Sequence, residues 1–349
     1  MSPTSPLTIR AGATARRVLA ERGFEPDAFS TLVGASGGPK WLVLRQLDEL
    51  LAERFVAGRA TPLTTLGSSI GSYRHACLAR SDPRTALARF FEAYVGQRYE
   101  GPPSLDDVAG ESARVLEHFL EEKGAEEVVS NPNVHTHIVA SRLRGGEADA
   151  GLGFKLRIGA SAAANSLGRG SLRHFYERAL FGPEESRIAY TDLPTRHVRL
   201  TVENLRGALL ASGAIPMLMR GVRDIPGAGG TWFDGGILDY DFEFEAPQGL
   251  LLFPHFFDRI TPGWFDKALP WRKPRAAALD RVVMLAPSDA FVASLPGGKV
   301  PDRNDFRELG NDERIERWHA VDSACCVPAE DLVDLIDGNR WAARVLPFA

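Results

Sequence analysis

The chain has 349 residues, 44% of them apolar, which is enough to bury a substantial core and points to one large domain over residues 1–349. Its 41 basic and 45 acidic residues nearly cancel, excluding a strong field toward nucleic acid or an anionic bilayer, so any lipid is met through local apolar surface. Three cysteines, Cys77, Cys325 and Cys326, are too few for a disulfide framework and lack zinc-site spacing.

The first 24 residues contain neither the apolar run nor the small-residue cleavage site of a signal peptide. No later apolar stretch approaches the roughly 20 residues of a membrane span. The expectation is a cytoplasmic protein. STLVGAS predicts a strand ending at Gly34, and a glycine loop follows. After the loop, Trp41, Leu44, Leu47, Leu51 and Phe55 share one helical face, with Pro39 suited to the first turn. TPLTTLG predicts a second strand, Gly67 to Gly71 a sharp turn, and SIGSYRHACLA the helix leaving it. Residues 82–124 read as helical, with Pro102 and Pro103 as a break, before VHTHIVASRL resumes as a strand.

Residues 145–172, rich in Gly, Ala and Ser, read as a loop, with a mobile flap as the alternative. RIAYTD predicts a strand, LTVENLRGALLASGA a helix ending near Gly213, and TWFDGG a strand end carrying Asp234. GLLLFP and RVVMLAP predict two buried strands, and residues 304–349 a helical cover within the same domain. The alternation of strands and helices predicts an α/β fold with a mostly parallel central sheet.

Gly67-Ser68-Ser69-Ile70-Gly71 fits G-x-S-x-G, in which flanking glycines allow a tight strand-to-helix turn that exposes the central serine. Ser68 is the competing serine, but its frame lacks the paired glycines. An acyl-transfer site also needs donors for an oxyanion, and amides at the start of a glycine-rich helix, here the loop from Gly34 to Lys40, provide them. The same loop is not a Walker motif, because Lys40 follows Pro39 and Trp41 stands where Ser or Thr would bind magnesium. It also lacks dinucleotide-fingerprint spacing. Its structural alternative is a tight turn capped by Ser36. Asp234-Gly235-Gly236 places a carboxylate at a strand end, although Asp-Gly is also a common turn signal.

The order G-G-x-K, G-x-S-x-G and D-G-G, with LRGALLASGAIPML upstream of the aspartate, resembles the patatin-like acyl hydrolases, which include many lipid acyl hydrolases and phospholipases. The resemblance covers residues 34–236. It implies a three-layer α/β/α sandwich and a dyad of Ser69 and Asp234, with Gly37 and Gly38 lining the oxyanion hole and Lys40 in a supporting role. No histidine, metal or cofactor is required, and the substrate is a lipid or other acyl ester. Trp41 departs from the family pattern, whose glycine loop commonly continues into a further glycine.

Three other readings stand beside this one. Ser69, Asp234 and His255 follow the chain order of an α/β-hydrolase triad, although His255 lies among Phe253, Phe256 and Phe257. His135-x-His137 sets two imidazoles on one strand face without a completing ligand set, a weak metal signal. His75, His174 and His319 read as ordinary residues. The third reading is a non-catalytic lipid-binding module of the same fold. The aromatic run from Phe253 to Trp271 fits buried loop packing, with acyl-chain or transient membrane-surface contact as the alternative.

Overall fold

Ten strands pair into a single sheet in a computed structural model that describes residues 5–146, 150–186, 188–243 and 248–348. In chain order they are β1 (Leu7–Ala11), β2 (Phe29–Gly34), β3 (Leu63–Ser68), β4 (Val134–Leu143) and β5 (Tyr176–Gly182). β6 (Thr195–Arg199), β7 (Phe233–Asp234), β8 (Leu250–Pro254), β9 (Val282–Pro287) and β10 (Val345–Pro347) follow. The spatial order is β10-β1-β9-β8-β2-β3-β4-β5-β6, with the short β7 paired to β4. The central run from β9 to β4 is parallel throughout, whereas β1–β9, β4–β5 and β4–β7 are antiparallel. β8 and β9 are buried at every position, as the continuous apolar runs of central parallel strands require.

The helices that cover the sheet begin with α1 (Ala13–Arg22), α2 (Arg45–Leu51), α3 (Ile70–Leu78), α4 (Pro83–Val95), α5 (Leu105–Leu120) and α6 (Gly124–Ser130). Next come α7 (Leu152–Leu167), α8 (Val202–Gly213), α9 (Ala276–Leu279) and α10 (Asp289–Ser294). The last are α11 (Asp305–Glu308), α12 (Asn311–Ala324) and α13 (Cys326–Asp337). The fold is thus α/β with a mostly parallel sheet. The expected helix over residues 39–55 is divided between a 3₁₀ segment, α2 and a π turn, yet Trp41, Leu44, Leu47, Leu51 and Phe55 are all buried along it. Asp48 of α2 grips Arg74 of α3 through two hydrogen bonds of 2.6 and 2.7 Å, with both side chains buried. An uncompensated charge there would be costly, so this pair fixes the helix that leaves Ser69 against its neighbour.

Several expectations need correction. Residues 152–167 are a helix in place of the expected loop, because alanine-rich sequence favours helix even when interrupted by Gly153 and Gly159; residues 147–149 lie outside the described ones. The strand expected at RIAYTD forms later, as β6. Arg178 stacks on the Tyr190 ring at 3.7 Å and holds Asp192 at 3.0 Å, which directs this stretch into a turn; Arg187 lies outside the described residues. After Asn304 the chain is helical through α13 but ends as β10, which pairs in parallel with β1 at the sheet edge. Cys77, Cys325 and Cys326 are free. Among the described residues no helix is long and apolar enough to cross a membrane.

Candidate active site

Three strand ends converge because their registers match. Gly34 at the end of β2 pairs with Gly67 near the end of β3, and Ser68 pairs with Val139 of β4. On the same edge of β4, just beyond the end of β3, Asp234 of β7 faces Ala140, whose opposite edge is taken by Ala179 of β5. The turn from β3 into α3 and the end of β7 therefore meet end to end along one edge of β4. The result is a hydrogen bond of 2.7 Å from Ser69 Oγ to Asp234 Oδ2, between residues 165 positions apart in the chain and only 4% and 6% exposed.

Ser69 has φ 55° and ψ −128°, a conformation that an L side chain rarely adopts and that aims the hydroxyl out of the turn. The corner is held from behind: Ser212 Oγ accepts the Ser69 N–H at 2.9 Å, lies 2.9 Å from Ser72 Oγ and donates to the Val139 carbonyl at 2.6 Å. Ser69→Gly should be more stable than Ser69→Ala by about 1–2 kcal/mol in urea unfolding. Both variants lack the hydroxyl, and only alanine keeps a Cβ in the strained conformation. Equal stabilities would show the corner to be unstrained.

Asp234 is fixed at three points. Its N–H donates to the Ala214 carbonyl at 2.8 Å, its carbonyl accepts from Ser141 Oγ at 2.8 Å, and its Oδ1 accepts the Gly236 N–H at 2.7 Å. Burial raises its pKa above the usual carboxylate value, opposed by the hydrogen bonds from Ser69 and Gly236 and by the charges of Arg303 and Lys267. Desolvation prevails, so the carboxylate is more basic than one in water.

The glycine loop reaches the same place. Ser36 Oγ donates to Ser68 Oγ at 2.9 Å, and its N–H donates to the Tyr240 carbonyl at 2.8 Å. Gly38 has φ +55°, and the N–H groups of Gly37 and Gly38 donate to no other group among the described residues. Lys40 turns toward Tyr240, its Nζ donating to the hydroxyl at 3.3 Å, and sits 5.3 and 5.0 Å from the Phe256 and Phe257 ring centres. Burial lowers its pKa. Trp41, the departure from the family pattern, is wholly buried and stacks on Phe90 at 4.4 Å, facing the core.

His255 does not join Ser69 and Asp234. Its Nε2 lies 3.0 Å from Asp241, and its Nδ1 is 2.6 Å from the Phe257 carbonyl oxygen and 3.1 Å from the Phe257 amide. His137 is similarly occupied: Nδ1 contacts the carbonyls of Thr65 and His135, and Nε2 lies 2.7 Å from Ser186 Oγ. Burial pushes its pKa down to about 4. Among the described residues no group of three or more His, Cys, Asp or Glu side chains is arranged to hold a metal ion. A cavity of about 870 Å³ lined by Glu49, Arg80, Asp82 and Asn131 contains none of the site residues and borders the N-terminal end of β4, away from Ser69.

Sequence reasoning missed Ser212, Ser141, Tyr240, Lys267 and Arg303. Only Ser212 carried a local hint, as the small polar residue in ALLASG where α8 passes behind the corner. No family model, curated protein or solved structure matches the chain.

Proposed function

We propose that the protein is a serine acyl hydrolase of the patatin-like kind, with the three-layer α/β/α arrangement that goes with it, cleaving lipid acyl esters through Ser69 and Asp234. The observation that carries this reading is the buried 2.7 Å bond between a strained serine and a carboxylate of raised basicity. Asp234 takes the Oγ proton as Oγ bonds to the ester carbon, and the amides of Gly37 and Gly38 receive the oxyanion. The tetrahedral adduct collapses by breaking the bond to the alcohol oxygen, which leaves with the proton held on Asp234. Water then gives its proton to Asp234 and its oxygen to the acyl carbon, and the proton returns to Ser69 as the carboxylic acid departs. The position agrees with the general placement of ligands beyond the C-terminal ends of parallel strands.

A lipid-surface substrate is supported by the apolar face that α7 leaves open. Leu152, Leu156 and Leu167 are 74%, 63% and 92% exposed, while Phe154 of the same helix packs on Phe233, the neighbour of Asp234. An ester held at an aggregate surface would thus lie close to Ser69.

A fluorophosphonate probe should label the wild-type protein at Ser69, read by peptide mass, and leave Ser69→Ala unlabelled. His255→Asn should keep ester turnover within about fivefold of wild type, because a dyad does not use the imidazole. Loss of most activity in that variant, or labelling at another residue, would refute the assignment.

A further inference from the structure

Three cations gather beside Ser69 and Asp234, attracted from a distance by Asp234 and Asp241 but not paired with either. Lys267 Nζ lies 3.6 Å from the centre of the Tyr240 ring, and Lys40 Nζ approaches the same residue, 3.3 Å from its hydroxyl. Arg303 crosses the glycine loop, since a Cβ on Gly38 would stand 3.1 Å from its Nε. Lys267 and Arg303 stand at the solvent-exposed rim of the site, and partial desolvation first and repulsion from Lys40 and Arg303 second hold Lys267 down to about 7. Among the described residues none of them forms an ion pair. The nearby acids are engaged elsewhere: Asp302 and Asp305 hold Lys299 at 3.2 and 2.7 Å, and Asp305 also accepts from the Trp318 indole. Asp241 accepts the Thr261 N–H at 2.6 Å and lies against His255, and Asp234 is taken by Ser69 and Gly236.

The positions are built, not incidental. Lys267 belongs to the 3₁₀ turn Trp264–Ala268, whose buried Asp266 accepts from Asn165 at 2.7 Å and from the Gly263 N–H at 3.0 Å. Arg303 follows Asp302, whose side chain accepts the Asn304 N–H at 2.7 Å. Fixed cations held together without partners are stabilised when an anion enters between them. Asp234 is attracted by Lys267 and Arg303, but one carboxylate already held by Ser69 and Gly236 does not balance three cations.

We infer that Lys40, Lys267 and Arg303 form an anion subsite, and that the preferred substrate is an ester carrying a phosphate or carboxylate close to its scissile carbonyl. This rests on the acyl-hydrolase reading and narrows it. Two substrate pairs place the charge on either side of the ester. 1-Octanoylglycerol 3-phosphate against 1-octanoylglycerol tests the alcohol side, and mono(4-nitrophenyl) adipate against 4-nitrophenyl hexanoate tests the acyl side. For one pair, wild type should favour the anionic member at least about tenfold in kcat/KM, and Lys267→Ala/Arg303→Ala should reduce that ratio by about 30-fold. The ratio is the readout because removing two cations also changes the basicity of Asp234, which affects both members alike. Lys267→Arg/Arg303→Lys should restore most of the preference.

Binding supplies a readout independent of turnover. Calorimetric titration of Ser69→Ala with dodecyl phosphate, below its micellar concentration, should show affinity that the added double substitution weakens by about 30-fold, while dodecyl maltoside shows no such loss. Equal ratios in both pairs, together with dodecyl phosphate affinity unmoved by the substitutions, would overturn the subsite and leave the hydrolase standing. Unlabelled Ser69 with phosphate binding intact would overturn the hydrolase and leave the subsite.

Discussion

Asp234→Asn should lower kcat/KM by about 10³-fold or more while the folded structure persists. The amide keeps the size of the side chain, and its oxygen can still accept the Gly236 N–H now received at 2.7 Å. What changes is the other atom: the oxygen that accepts from Ser69 Oγ becomes an NH₂, and the hydroxyl loses the group able to take its proton. The same assignment fixes a pH dependence. Asp234 must be ionised to act as a base, and burial sets its pKa above the ordinary carboxylate value of 3.8, so the acid limb of kcat/KM should fall above that pH. Arg303 and Lys267 both lower that pKa, and removing either should move the limb upward. Stability runs the other way. Between the unfolded and the raised folded pKa the native state binds more protons than the unfolded chain, so this group costs stability as pH rises through the window. Asp234→Asn removes that loss. Ester turnover and urea unfolding measured across pH on both proteins check the two together, and a variant with turnover near wild type would eliminate Asp234 as the base.

The parts of this site visible in the sequence are those whose chemistry is local. Gly67, Ser69 and Gly71 are legible because a strained corner needs small neighbours within two residues, and Asp234 because a carboxylate before paired glycines marks a strand end. The buried strands β8 and β9 are legible for the same reason, as continuous apolar runs. β5 is harder: YERALFG carries a glutamate and an arginine, and Arg178 is tolerated inside only because Asp239 and Asp192 meet it from distant segments. β10 has three residues and exists through its pairing with β1 at the other end of the chain. Ser212, Lys267 and Arg303 reach the site through the packing of α8, a 3₁₀ turn and a loop, and no spacing rule in the chain encodes that approach.

Gly71→Ala tests the contact that sets the geometry of the corner, and a large loss of both activity and stability is expected. A Cβ at this position would lie 2.0 Å from the Gly34 carbonyl oxygen and 2.3 Å from its carbon, both backbone atoms of β2 that no rotamer change can move aside. The added methyl must therefore push α3 away from the sheet, or strain β2 out of register with β3, where Gly34 and Gly67 are paired. Overpacking typically costs about 1–3 kcal/mol, and a clash with fixed backbone atoms belongs at the upper end of that range. Either movement displaces Ser69 from Asp234, and a shift of about 1 Å in a reacting group costs on the order of 10²-fold in rate. Gly153→Ala is the matched control, since a Cβ there meets nothing within 4 Å and alanine is the better helix former. Fluorophosphonate labelling rates and urea midpoints of the two variants separate the outcomes. Wild-type labelling in a stable Gly71→Ala protein would mean that the approach of α3 to β2 does not set the catalytic geometry.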